Sequence, residues 1–227
     1  MIDLFNIFLE PTQVFRRLRE RPTYWLPLLA LSVASALFVY VYFSKVDAGW
    51  FIESSLSASA KDLSEKQVEQ SSAMMPSIKA LKYIGIVSAF VTTGIILAIY
   101  ASYLFLVGKM VNRPISFRQG MALTAWSSMP LVLGSVMAVV AAFLMTPQTP
   151  LESLMLTHVD PLITHMPIES RWRSVAQNVD LLSFWTIGLT ALGWKTGEDV
   201  TWRQATIVAA LPNLVYYIGL LSFAVFR

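Results

Sequence analysis

His158 and His165 stand seven residues apart, with Asp160 and Glu169 beside them. Imidazole and carboxylate are the ligand types of a zinc centre, but such sites favour tighter pairs, with two histidines one helical turn apart. This pair instead flanks a stretch broken by Pro161, so no metal and no other cofactor is expected. The chain has no cysteine, which excludes disulfides, zinc thiolates and cysteine nucleophiles together. It has no G-x-S-x-G, Walker or H-E-x-x-H pattern, and the sparse acids make a buried carboxylate pair improbable chemistry. A non-enzymatic role is the expectation.

Three further residue types bear on function. Asp180 is the most informative ionisable group. If its helix begins at Leu181, Asp180 is an N-cap at the interface. If the helix begins nearer Trp172, Asp180 lies inside a span, where an aspartate costs roughly 2.5–3.5 kcal/mol and needs a partner. Both alternatives stay open at this level. Pro130 and Pro212 are expected to break apolar helices, each freeing a carbonyl that Ser127, Ser128 or Asn213 could satisfy. Kinks at matched places in two halves of a chain often frame a substrate cleft. Close packing around small residues such as Ala122, Ala125, Ala205 and Ala209 is the plainer reading.

One short word recurs. ISFRQGM (115–121) returns as VTWRQAT (200–206), and Arg118 lies ten positions after Gly108 just as Arg203 lies ten after Gly193. In each copy a hydroxyl, Ser116 or Thr201, precedes a glutamine, Gln119 or Gln204, by three positions at the start of an apolar helix. That is a capping box, hydroxyl to the N3 amide and glutamine back to the cap's own amide. Phe117 and Trp202 suit the aromatic belt of a membrane, and Arg118 and Arg203 suit headgroup phosphates.

The elements that carry these residues follow from composition. The chain has 227 residues, 56% of them hydrophobic and 14% charged, with a mean hydropathy of +0.59. Soluble domains are about a quarter charged, so the bilayer is the expected solvent. The formal charge of +3 lacks the large coherent basic face that nucleic acid requires, and suits anionic headgroups instead. The expected fold is an all-α integral membrane protein, a five-helix transmembrane bundle with an N-terminal amphipathic interfacial helix. Residues 1–23 form a cytoplasmic arm and 24–227 the membrane domain. The spans are expected at about 24–43, 84–107, 121–145, 176–194 and 205–226, with outer loops at 44–83 and 146–175. The apolar core of the fourth, Leu181 to Trp194, is too short to cross alone; the recurrence of the capping word is what supports it. Short Arg-rich segments should set orientation, which puts the N-terminus in the cytoplasm and the C-terminus outside.

In the arm, Leu4, Phe5, Ile7, Phe8, Val14, Phe15 and Leu18 form an apolar stripe interrupted by Pro11, followed by Arg16, Arg17, Arg19 and Arg21. It reads as a surface helix with arginines on phosphate and apolar side chains in the acyl layer, with a docking arm for a partner as the functional alternative. No basic region or small-residue cleavage site precedes the apolar part, so no removable signal peptide is expected.

The stretch IFLEPTQVFRRLRERPTYWLPLL (7–29) resembles the opening of the Yip family (Ypt-interacting proteins). FRQGMALTAWSSMPLVLG (117–134) and VDLLSFWTIGLTALG (179–193) extend the likeness over most of the chain. The short arm is closer to the bacterial-type branch. The resemblance implies five spans, a cytoplasmic N-terminus and an adaptor role. Eukaryotic relatives are linked to vesicle traffic and prenylated Rab-type GTPases. For a bacterial chain, the implied role reduces to a membrane scaffold or accessory subunit, with no catalytic residue to place. Expected partners are membrane lipids and another membrane protein, with self-association left open. The expected location is the bacterial inner membrane. A lipid or small-solute transporter, using a cleft between the kinked third and fifth spans, is the alternative.

Overall fold

The computed structural model describes residues 3–59, 74–167, 170–197 and 200–226. The arm forms α1 (Asp3–Leu9) and α2 (Pro11–Glu20), with Pro11 in the first turn of α2, where a missing N–H costs nothing. The Asp3 carboxylate pairs with Arg17. The two helices therefore fold back on one another as a short hairpin whose tip lies at Leu9 and Glu10.

α3 (Trp25–Lys45) follows, with Pro27 again in a first turn that has no intrahelical amide bond to lose. α4 (Ala48–Ser59) lies in the expected first outer loop and brings Trp50 and Phe51 against buried Phe38, Val41, Tyr42, Ala138 and Ala142. Most of the charged stretch after it, SASAKDLSEKQVEQSSAMM, lies outside the described residues. α5 runs from Ile78 to Met110, six residues earlier than the expected span start, with Ser77 accepting the Ala80 amide as its cap. At 33 residues it is about 50 Å long, well beyond a ~30 Å hydrocarbon core. It ends where Asn112 adopts a left-handed conformation (φ 55°), one that asparagine tolerates.

The expected third span is two helices, α6 (Phe117–Ser127) and α7 (Pro130–Leu144), bent by 44° at Ser128 and Met129. A 3₁₀ turn (Leu151–Leu154), a π turn (Asp160–Thr164) and α8 (Arg173–Asn178) make up the second loop. Leu154 is buried there against the ends of α3 and α7, and the loop caps the bundle. α9 (Leu182–Gly197) and α10 (Trp202–Phe226) complete the described elements. Among the described residues, three helices, α3, α5 and α10, are long and apolar enough to cross a bilayer, and the bent α6–α7 pair raises this to four. α9, the expected fourth span, has 16 residues and a length of about 24 Å, and does not qualify by length.

α3 packs between α5 and α7, α6 lies against α5, and α9 touches α2, α6, α7 and α10. Gly120 permits the α5–α6 approach, since a β-carbon there would lie 2.9 Å from the Ala101 carbonyl oxygen. α5 and α10 stand at the periphery, with only 11% of the most apolar stretch of each buried.

Most of the arm's apolar stripe is covered by protein rather than left for acyl chains, with Phe5 remaining exposed. Ile7, Val14, Phe15 and Leu18 are buried among Ala122, Trp126, Met129 and Leu189, so the hairpin packs between α6 and α9. The physical reason is Gly193. Phe15 and Leu123 close so tightly over it that a β-carbon would meet Leu123 Cδ1 at 2.3 Å and Phe15 Cδ1 at 2.8 Å. Nearer the tip, Phe8 meets Trp185 edge to face, with ring centroids 5.5 Å apart. Burial against protein removes this apolar area from any solvent, which the sequence pattern of a surface helix cannot distinguish from burial in lipid.

Candidate functional site

At the basic end of the bundle both copies of the recurring word form reciprocal caps. The Gln119 amide donates to Ser116 Oγ at 3.2 Å, and the Ser116 amide donates to Gln119 Oε1 at 2.8 Å. Thr201 and Gln204 repeat this at 3.3 Å and 3.0 Å. The first copy does more. Arg118 Nε donates to the Pro22 carbonyl at 2.9 Å, Gln119 Nε2 to the Arg19 carbonyl at 3.0 Å, and Trp126 Nε1 to the Thr23 carbonyl at 2.8 Å. The start of α6 thus fastens the link between arm and α3. Arg16, Arg17, Arg19 and Arg21 remain on the exposed face, with Arg118 and Arg203 exposed as well.

The two prolines behave differently. Pro130 opens α7, and the carbonyl its missing amide leaves open, that of Trp126, accepts from the Met129 amide at 3.2 Å. Ser128 Oγ donates to the Thr124 carbonyl at 2.9 Å, whereas buried Ser127 Oγ has no partner among the described residues. Pro212 lies inside α10, which continues through it as one helix. The carbonyl it frees is that of Val208, and Tyr103 on α5 donates its hydroxyl there at 2.8 Å. Asn213 does not perform that task; its Oδ1 accepts from Tyr100 at 3.4 Å. Sequence reading missed both tyrosines. The carbonyl in need of a donor is readable from the position of Pro212, but a partner more than a hundred residues away is not.

At the opposite end, Asp180 sits just before α9, half-buried. Its Oδ1 accepts the Leu182 amide at 2.9 Å, and its backbone pairs with His158 in an isolated antiparallel bridge. His158 Nδ1 hydrogen-bonds the Gln177 carbonyl, and its Nε2 lies 3.9 Å from Asp180 Oδ2. Nearby, Asp160 is 6% exposed and holds the loop together. It accepts from Thr164 Oγ1 at 3.1 Å and from the Met166 amide at 2.9 Å, and faces Arg173 Nε at 3.6 Å. Asp160 and Arg173 were not expected to pair, and only an acid beside a proline in an otherwise apolar loop hinted at it. No metal-holding group of His, Asp and Glu occurs among the described residues, and Glu169 lies outside them.

A cleft of about 500 Å³ opens beneath this loop. Its walls are α5 (Ser88, Thr92), α7 (Gly134, Ser135) and the loop (Thr157, His158, Asp180), and its floor is α3 (Ser35, Phe38). This is not the expected cleft between the third and fifth spans. α9 packs on both α7 and α10 and occupies that space.

The comparison with protein families decides the membership. The model of the Yip1 domain matches residues 5–224. The chain belongs to the Yip1 family. It is a multi-pass membrane protein of that family, with several apolar helices able to cross a bilayer. No curated protein and no solved structure matches it. The Yip1 match takes in the arm hairpin and all of the longer helices, so the basic end and the cleft both belong to the family domain.

Proposed function

We propose that this Yip1-domain protein is a non-enzymatic membrane adaptor or accessory subunit of the bacterial inner membrane. It would have five spans, a cytoplasmic N-terminus and a periplasmic C-terminus. The observation that carries this reading is the periphery of the bundle. α5 is 33 residues long with 11% of its apolar stretch buried, leaving most of a long apolar helix for lipid or another membrane protein. The basic end supports it. A hairpin fixed by Arg118, Gln119 and Trp126 presents Arg16, Arg17, Arg19 and Arg21 as a preorganised cationic face for anionic headgroups or an acidic partner.

Crosslinking in native membranes from single photoreactive residues at Val87 or Ile95, both exposed on α5, tests the adaptor reading. A stoichiometric protein adduct is expected, a second copy of the chain included. Adducts to lipid alone at both positions would sink it. The cleft favours transport of a lipid or small solute as the second reading, now located among α3, α5 and α7. Reconstituted vesicles that move no lipid or solute would remove that alternative.

A further inference from the structure

We propose that the cleft among α3, α5 and α7 binds the headgroup of a phospholipid bearing a primary amine, which enters from the bilayer between α5 and α10. The inference is independent of the adaptor reading and rests on the chemistry of the lining. His158 Nδ1 is bonded to the Gln177 carbonyl, which only accepts, so Nδ1 carries the proton. In the neutral imidazole Nε2 is then an acceptor. Asp180 Oδ1 is committed to the Leu182 amide, which leaves Oδ2 as a second acceptor 3.9 Å from that nitrogen. With the imidazole neutral, two acceptors face one another 3.9 Å apart, with no donor between them among the described residues. A primary ammonium, with three N–H bonds, donates to both at once; a trimethylammonium donates to neither.

The rest of the lining agrees. Among the described residues lining the cleft there is no lysine or arginine, and Asp180 supplies the one carboxylate. Hydroxyls facing apolar surroundings in a membrane helix usually donate to the carbonyl one turn back. Thr93 and Ser135 do so, at 2.7 Å and 3.2 Å. The hydroxyls of Ser35, Ser88, Thr92 and Thr157 make no hydrogen bond with the described residues and can donate to a phosphate or glycerol oxygen. Phe38, Val39, Ile96 and Leu131 supply apolar surface for the start of an acyl chain, which favours a lipid over a soluble amine. The way in is lateral. The hydrogen bonds joining α5 to α10 lie at Tyr100 and Tyr103, while the cleft residues of α5 span Gly85 to Ile96, beyond that seam.

The test is lipid retention by the full chain, purified from nanodiscs holding equal phosphatidylethanolamine and phosphatidylcholine, then washed and weighed by native mass spectrometry. The wild type should retain the ethanolamine lipid over the choline lipid by about tenfold, the scale of one charge-assisted hydrogen bond. Asp180→Asn keeps an oxygen for the Leu182 amide but loses the charge, and should bring the two lipids to near parity. Thr92→Phe, on an exposed face of α5, should lower retention of both without changing the melting temperature. Excess glycerophosphoethanolamine, the same head without chains, should displace nothing. Equal retention of the two lipids by the wild type, unchanged preference in Asp180→Asn, or displacement by the chainless head would each overturn the proposal.

Discussion

Tyr103 does work that a proline created. Pro212 cannot donate to Val208, and in a bilayer no water reaches that carbonyl, so the Tyr103 hydroxyl replaces the missing amide from a different helix. Tyr103→Phe should lower stability by about 0.5–2 kcal/mol, the range of hydrogen bonds measured inside membranes. Pro212→Ala restores an amide at that position, so Tyr103→Phe in that background should cost much less. A double-mutant cycle from denaturation in detergent measures the difference, and additive costs would contradict the assignment. Asp160 is a stricter case, because it is buried with a guanidinium opposite and two donors on the other oxygen. Removing one partner strands the other, so Asp160→Ala should cost about 3–5 kcal/mol, whereas Glu152→Ala on the exposed 3₁₀ turn should be near neutral. Thermal melting of the two variants side by side checks this. At this scale the sequence announces needs rather than solutions. A proline marks a bare carbonyl, and an acid in an apolar loop marks a charge to be neutralised. Tyr103 and Arg173 answer from positions that no local pattern connects to them.

Between helices the two capping words look alike in sequence and differ in what they hold. Local chemistry fixes the boxes themselves, and spacing alone reveals both. Tertiary wiring then sets them apart, since Gln119 also donates to the Arg19 carbonyl whereas Gln204 serves only its own helix start among the described contacts. Gln119→Ala should therefore cost about 1 kcal/mol more than Gln204→Ala, one hydrogen bond beyond the shared cap loss. Equal melting shifts for the two would argue that the arm link is energetically idle. The arm shows the opposite limit of legibility. Its stripe of Phe, Val and Leu is plain in the sequence, but lipid and protein are equally apolar neighbours, so the pattern cannot say which covers it. Gly193 tells them apart, through contact distances that no spacing contains. Gly193→Val would push a side chain into Phe15 and Leu123 and should lift the hairpin off α9, an overpacking cost of about 1–3 kcal/mol. Limited trypsin digestion reads the result. Cleavage at Arg16, Arg17 and Arg19 should accelerate in the variant, and an unchanged rate would mean the hairpin stays docked.

For the molecule as a whole, the open quantity is whether α9 crosses the bilayer, because it sets the parity of the spans. Length argues against it, since 16 residues give about 24 Å for a core of ~30 Å. Anchoring argues for it. One end of α9 carries Gly193 beneath Phe15, and Lys195 donates to the Val200 carbonyl at the basic end. The other begins at Asp180, bridged to His158 in the loop that caps α3 and α7. Its two ends are thus tied to opposite ends of the bundle, and α9 runs the same course as its longer neighbours. A deficit of about 6 Å is met by local thinning and by a lysine reaching for the interface, at fractions of a kcal/mol per Å. This anchoring supports the proposed five spans, and the absence of cysteine makes the proposal directly measurable. Single cysteines at Arg16, Gln148, Arg171 and Arg203, all exposed, should label from alternate faces of sealed vesicles. Arg16 and Arg203 should share one face, and Gln148 and Arg171 the other. Labelling of Arg171→Cys from the same face as Arg203→Cys would show that α9 turns back, reducing the count to four and placing both termini on one side.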